Sequence, residues 1–159
     1  PFPDCAVTDL SHFGLIRISG TDSRTFLQGQ VTNDVNRVTG QQAQINSYCS
    51  PKGRMLGSFW LFQRGDDLLI QLPMERLAPT LQRLRMFVLR SKVTLSDASE
   101  ELVRFGLCGD CAPALLDAAP PEPWKLAKPS NRSCRSTASS ARSSRWVALA
   151  CATPNRSSA

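Results

Sequence analysis

The stretch LQGQVTNDV, residues 27–35, decides how the rest of the chain is interpreted. It follows an apolar-patterned segment and surrounds one glycine with two glutamines, a threonine, an asparagine and an aspartate. Side chains of this kind bond to nearby backbone groups and favour turns over regular helix. The stretch therefore predicts the place where a core helix ends and a polar turn begins.

The residues before this turn predict a strand followed by a helix. Residues 15–19, LIRIS, alternate apolar and polar side chains as a half-buried strand does. Residues 21–28 predict a short helix with Thr21 as its N-cap and Asp22 in its first turn, where the helix dipole favours an acid. Gly29 is expected to end this helix.

The residues after the turn predict a strand meander and then a longer helix. Strands are expected at residues 43–49, 54–63 and 68–72, joined by the turns SPKG and RGDD. Residues 74–90 place four apolar side chains at helical spacing. These are Leu77, Leu81, Leu84 and Val88. The arginines of this helix are most simply interpreted as its solvent-exposed face, and a nucleic-acid-binding patch is the alternative.

The chain beyond this helix completes the predicted order of elements. Residues 92–97 and 101–108 predict two further strands, and residues 112–119 a short helix. The resulting order predicts an α+β fold in which helices pack on one side of a mostly antiparallel sheet. With 159 residues and 42% hydrophobic residues, the chain can bury one ordinary core.

The positive charge of the chain lies in its C-terminal part. After Glu122 there is no acid but there are seven bases, namely Lys125, Lys128, Arg132, Arg135, Arg142, Arg145 and Arg156. The other 12 of the 19 Lys and Arg nearly balance the 13 acids, so the net charge of +6 says little about the body.

Residues 120–159 are rich in Ser, Ala, Arg and Pro and show little periodicity. Such a segment buries too little apolar surface to offset its ordering entropy. Three interpretations stay open: an RNA-binding segment that contacts phosphates, a disordered tail, and translation in a wrong reading frame from about Pro120. The composition is typical of a GC-rich gene translated out of frame, and we favour that interpretation.

Few side chains suggest chemistry of their own. Cys108 and Cys111 form a CxxC pair, which is interpreted as two small buried residues rather than a redox or zinc site. His12, the single histidine, has no nucleophile motif beside it, so we predict no catalytic residue and no metal site. No long apolar run and no leader-like start occur, and the expected location is cytoplasmic.

Three blocks of sequence, in order, resemble the YgfZ family. They are LIRISGTDSRTFLQGQVTNDV (residues 15–35), YCSPKGRMLGSFWLF (48–62) and RMFVLRSKVTLSD (85–97). Members of that family are folate-binding relatives of the glycine-cleavage aminomethyltransferase, and they are implicated in iron-sulfur cluster assembly or repair and in tRNA modification. The resemblance implies a GcvT-like folate-binding domain over residues 1–119, followed by the tail at 120–159.

The resemblance also implies where folate would bind. Phe13 matches a folate-contacting aromatic residue of the family, and the polar turn would form part of the cavity wall through Gln30, Thr32, Asn33 and Asp34. The alternative is that the last three of these residues only stabilise the turn through side-chain bonds. Both interpretations stay open.

The sequence departs from the superfamily pattern at two places. Aminomethyltransferases carry an acid where this chain has Leu56 and Gly57, which disfavours aminomethyl transfer. The Lys-Gly-Cys and Gly-Gln-Glu segments of the YgfZ family do not occur. We therefore expect an incomplete, weakened or inactive folate-binding accessory protein serving iron-sulfur proteins, with an indirect link to tRNA. The alternatives are a tetrahydrofolate-dependent aminomethyltransferase-like enzyme and an RNA-binding module acting through the tail.

Overall fold

The computed structural model describes the backbone of residues 5–109 and 146–151, and the side chains of residues 7–106. The elements, in chain order, are β1 (Cys5–Asp9), β2 (Phe13–Ser19), α1 (Ser23–Gln28), β3 (Gln44–Cys49), β4 (Met55–Arg64), β5 (Asp67–Pro73), α2 (Met74–Met86), β6 (Thr94–Asp97), β7 (Val103–Gly109) and β8 (Trp146–Cys151). A single 3-10 turn, Val35–Arg37, lies between α1 and β3. The contacts divide these elements between two units.

The larger unit, residues 12–101, is an antiparallel sheet with both helices on one face. Its strand order is β3-β4-β5-β2-β6, and β3 and β6 are the two edges. The predicted meander is confirmed, because β3, β4 and β5 pair in sequence. The core contains Ile16 and Ile18 of β2, Leu27 of α1, and Leu81 of α2. The predicted α+β arrangement is therefore confirmed.

The start of α1 differs from the prediction. Thr21 is not the N-cap; Asp22 occupies that position, with no side-chain cap bond. The Asp22 carboxylate instead accepts a hydrogen bond of 2.8 Å from the backbone N–H of Lys92. Asp22 is therefore not in the first turn as predicted, and its carboxylate bonds to a partner 70 residues away rather than to the helix. The predicted end of the helix at Gly29 is confirmed.

Helix α2 is shorter than predicted. It begins at Met74, whose N–H donates to the carbonyl of His12 at 3.0 Å, and it ends at Met86 rather than at residue 90. Leu77, Leu81 and Leu84 are buried as predicted. Val88 lies beyond the helix but still packs against the core, so the apolar spacing continued past the point where the helix ends.

The smaller unit, residues 1–11 and 102–159, contains a three-stranded sheet with β7 in the middle. Strand β1 pairs with β7 antiparallel, and β8 pairs with β7 parallel. The sequence had predicted no strand at β1 and none at β8. Strand β8 falls on the apolar run WVALAC inside the predicted tail. The rest of that tail, the predicted helix at residues 112–119 and the boundary at residue 120 lie outside the described residues.

Candidate functional site

The polar turn after α1 covers the open edge of the five-stranded sheet. An isolated bridge pairs Val31 with Tyr48 of β3. The next residue, Thr32, exchanges two hydrogen bonds with Ser47, since its N–H donates to the Ser47 carbonyl and its hydroxyl accepts from the Ser47 N–H, both at 3.1 Å. Edge strands expose unpaired backbone groups that invite association with other chains. The side chains of this turn pair those groups.

Asn33 and Asp34 continue the same arrangement. The Asn33 amide donates to the carbonyl of Ile45 at 2.7 Å, and its own N–H donates to the side chain of Asn46 at 2.9 Å. The Asp34 carboxylate accepts from the N–H of Asn36 at 3.0 Å and caps the 3-10 turn. These contacts support the turn-stabilising interpretation of the polar side chains.

The structure thus places the predicted site residues in two separate groups. Thr32, Asn33 and Asp34 bond to strand β3, and Gln30, which is half-buried, precedes the bridge of Val31 to that strand. Phe13 lies at the start of β2, half-buried, and its ring centre is 4.4 Å from that of His12. None of these five residues lines the cleft described below. Their predicted contact with folate stays a prediction.

We expect replacement of Asn33 by alanine to loosen the sheet edge. The change leaves the Ile45 carbonyl without its side-chain donor, so the free energy of unfolding should fall by about 1 kcal/mol. Backbone amides of β3 should also exchange faster with deuterium. Asn36→Ala is the matched control, because the Asn36 side chain is exposed and makes no hydrogen bond in the described part of the chain. Equal effects of the two changes would contradict this role of Asn33.

A cleft of about 290 Å³ opens between the β3–β4 hairpin and the first half of α2. Its lining residues are Tyr48, Met55, Leu56, Gly57, Ser58, Phe59, Leu72, Pro73, Arg76 and Thr80. All of them belong to the larger unit. The cleft is mostly apolar, with a few polar groups, which is the usual character of a small-molecule site.

The aromatic wall of the cleft is fixed by neighbouring groups. Tyr48 and Phe59 are each 5% exposed and belong to the core. The Tyr48 hydroxyl accepts a hydrogen bond from Nε of Arg83 at 3.3 Å. The Arg83 guanidinium carbon is 5.8 Å from the centre of the Tyr48 ring, within the range of a cation–π contact. The wall is therefore held in place from the α2 side.

Gly57 leaves the floor of the cleft open. It pairs with Tyr48 across the β3–β4 hairpin, and strand alternation puts it on the same sheet face as Phe59. A Cβ atom built on Gly57 meets no other atom within 4 Å. A flat ring could therefore approach the backbone here between aromatic neighbours.

Arg76 is the only charged residue in the lining, and the described cleft contains no carboxylate. The position at which aminomethyltransferases are expected to carry an acid, Leu56 and Gly57, lies in this wall. Among the described residues, no group of three or more His, Cys, Asp or Glu could hold a metal ion. No helix in the described part of the chain is long and apolar enough to cross a membrane.

The sequence interpretation missed most of this cleft. Its signal was present in the meander, where Tyr48 and Phe59 lie on paired strands and Gly57 is opposite Tyr48. Arg76 and Thr80 carry no such signal, because their spacing of four is also that of an ordinary exposed helix face. Only the packing of α2 against the sheet brings them to the aromatic wall.

Comparison with known proteins matches this architecture to one family. The family model of the GCVT N-terminal domain matches residues 3–146. The tRNA-modifying protein YgfZ of Colwellia psychrerythraea is 35% identical over 114 residues, which cover 72% of this chain and 35% of that protein. The same protein of Escherichia coli O157:H7 is 36% identical over 107 residues, covering 67% of this chain and 32% of that protein.

A solved structure agrees with the sequence matches. The glycine cleavage system aminomethyltransferase T of Bartonella henselae superposes with a TM-score of 0.64 at 16% identity, covering 72% of this chain and 31% of that one. At this identity the likeness shows the fold. The chain spans about a third of the length of the curated relatives it matches. The predicted resemblance is confirmed, and the chain belongs to the GCVT N-terminal domain family, with YgfZ proteins among its relatives.

Proposed function

We propose that this chain is the N-terminal part of a cytoplasmic folate-binding protein that supports iron-sulfur cluster assembly or repair. Its link to tRNA modification is indirect and runs through iron-sulfur proteins as partners. The family membership and the name of the YgfZ relatives support the proposal. The observation that carries it is the open cleft beside Tyr48 and Phe59.

The residues of the cleft fit the ring of a folate. A pterin ring is flat and partly polar, so it needs an aromatic or apolar surface for its face and hydrogen-bonding groups at its edge. Tyr48, Phe59 and Leu72 line this side of the cleft. The hydroxyl of Thr80 is available in the lining, whereas that of Ser58 already bonds to Ser47 and Met55. A cleft of about 290 Å³ holds the ring portion of such a ligand, and the rest of the ligand would extend past the rim.

The enzyme alternative, an aminomethyltransferase, has less support. Proton transfer by a positioned carboxylate would need an Asp or Glu within hydrogen-bond reach of the bound ligand. The described lining offers none, and Leu56 and Gly57 have no ionisable group. Turnover of a tetrahydrofolate substrate by the purified protein would favour this alternative over an accessory role.

Titration of the 159-residue chain with folinic acid, followed by calorimetry, tests the proposal. We expect saturable binding by the wild-type chain. Absence of binding at millimolar folinic acid would remove the ligand part of the proposed function.

Replacement of Gly57 by leucine should block the cleft. The new side chain would extend into the space beside the aromatic wall, where a Cβ meets nothing within 4 Å. We therefore expect folinic acid affinity to fall at least tenfold, a loss of about 1.4 kcal/mol. The free energy of unfolding should stay within about 1 kcal/mol of the wild-type value, because the backbone of Gly57 is not in the left-handed region.

The matched control is Gly29→Leu, at an exposed helix end outside the cleft. This change should leave folinic acid binding unaltered. If Gly57→Leu folds normally and binds folinic acid as tightly as the wild type does, the ligand lies elsewhere in the protein.

A further inference from the structure

The two ends of the cleft differ in chemistry. Tyr48 and Phe59 form an aromatic wall on the sheet side, whereas α2 contributes Arg76 and Thr80. These two helix residues are four apart, and side chains at that spacing lie on the same face of a helix. A cation and a hydroxyl therefore face the cleft together from one side.

Arg76 has no anionic partner among the residues whose side chains the structure describes. No hydrogen bond or ion pair involves its side chain in the described part of the chain, and the ion pairs there join Arg17 to Asp67 and to Glu101. Other arginines of α2 are engaged, since Arg83 donates to Tyr48 and Arg85 donates to the carbonyl of Leu95. Arg76 is thus a free guanidinium at the rim of an otherwise uncharged cleft.

We propose that Arg76, assisted by Thr80, binds an anionic group of the ligand whose ring lies against Tyr48 and Phe59. This inference rests on the proposed function and adds to it the residue that would bind the carboxylate end of the ligand. A guanidinium binds a carboxylate through two parallel hydrogen bonds, and a hydroxyl beside it donates a third. The ring alone would fill the aromatic end and leave Arg76 unpaired.

The exposure of Arg76 sets the size of the expected effect. Its side chain is exposed, so solvent screens the attraction, and the interaction should weaken as salt is raised. Charge-assisted hydrogen bonds of this kind change affinity by roughly tenfold. We therefore expect a measurable preference for the anionic ligand rather than an absolute requirement.

The test compares two ligands on the 159-residue chain by calorimetry. Folinic acid carries the ring and two carboxylates, and 6-hydroxymethylpterin carries the ring without any carboxylate. Arg76→Gln should weaken folinic acid binding by roughly tenfold and leave 6-hydroxymethylpterin binding within about twofold. Arg76→Lys should restore part of the lost affinity, because it keeps the charge without the planar fork.

Arg90→Gln is the matched control, since Arg90 is also exposed and is not in the cleft lining. It removes the same charge and should leave both affinities unchanged. If Arg76→Gln binds folinic acid like the wild type does, or weakens both ligands equally, the anion site is overturned while the proposed function stands. If the wild-type chain binds neither ligand, both the anion site and folate binding are overturned.

Discussion

Replacement of Gly20 by alanine is expected to destabilise the larger unit by about 4 kcal/mol, the sum of a strained backbone and a steric overlap. Gly20 has φ of +116°, a conformation that residues with a side chain rarely adopt. A Cβ at this position would overlap the carbonyl oxygen of Lys92 and lie 3.0 Å from its carbonyl carbon. Backbone atoms cannot rotate away as a side chain can, so the overlap has to be relieved by moving the segment.

The destabilisation should extend beyond Gly20, because two hydrogen bonds also require the segment at Lys92 to lie close to the start of α1. The N–H of Asp22 faces the Lys92 carbonyl at 3.5 Å, and the Asp22 carboxylate accepts the N–H of Lys92 at 2.8 Å. Moving the Lys92 segment away from Gly20 lengthens both contacts. Residues 20–22 before α1 therefore form one continuous contact with residues 91–93 before β6.

Urea unfolding followed by circular dichroism measures the effect, with two glycine controls. Gly53→Ala tests strain alone, because its φ is +74° and its Cβ would meet nothing within 4 Å; we expect a loss of about 1 kcal/mol. Gly29→Ala has neither feature, since its φ is −76° and the nearest atom is 3.5 Å away. If Gly20→Ala lowers the free energy of unfolding no more than Gly53→Ala does, the close approach of Lys92 does not restrict the residue at position 20.

The elements that sequence predicted correctly are those whose pattern is local. The alternation of β2, the turn residues of the hairpins and the spacing of Leu77, Leu81 and Leu84 each lie within a few residues. Strand β1 was missed because its five residues, CAVTD, lack the apolar and polar alternation that marks β2. The Thr21 cap was wrong because the helix begins one residue later than predicted, and Asp22 at its N-cap bonds to the segment before β6 instead of capping the helix.

The candidate site was also predictable from the sequence only where its pattern is local. Polar residues in the turn after α1 stood out in the sequence, and the structure explains them through bonds to the β3 edge made by Thr32 and Asn33. The cleft is assembled from two strands and a helix that are separated along the chain. Its aromatic residues look like ordinary core positions in a sequence, and Arg76 looks like any exposed helix arginine. Their shared location follows only from the packing of α2.

Replacement of Arg24 by methionine is expected to lower the free energy of unfolding by about 3 kcal/mol, because three acceptors each lose a hydrogen bond from the guanidinium. Arg24 donates from Nη1 to the Val35 carbonyl at 2.8 Å, and from Nη2 to the Val38 carbonyl at 3.0 Å and the Gln63 side chain at 2.9 Å. Val35 and Val38 are 0% and 1% exposed, so water has little access to replace the lost donors. Methionine keeps most of the aliphatic part of the side chain, so the change in stability reports mainly the lost hydrogen bonds.

The Arg24 contacts hold the segment that follows the polar turn onto the sheet. The Gln28 side chain assists, since it accepts the N–H of Val35 at 2.7 Å. Arg24→Lys should recover only part of the loss, because one ammonium lacks the planar fork that reaches three acceptors. Arg37→Met is the control: this arginine is exposed and carries the same charge, and its loss should cost less than about 0.5 kcal/mol in urea unfolding.

Hydrogen exchange separates the local effect from the global one. In Arg24→Met, the amide of Val38, which donates to the carbonyl of Val35, should lose protection more than amides at the centre of β5 do. Local loosening of this kind is expected where side chains rather than a ladder hold a segment in place. Equal stability of Arg24→Met and Arg37→Met would mean that burial of Val35 and Val38 alone fixes the segment, and that the guanidinium only fills space beside it.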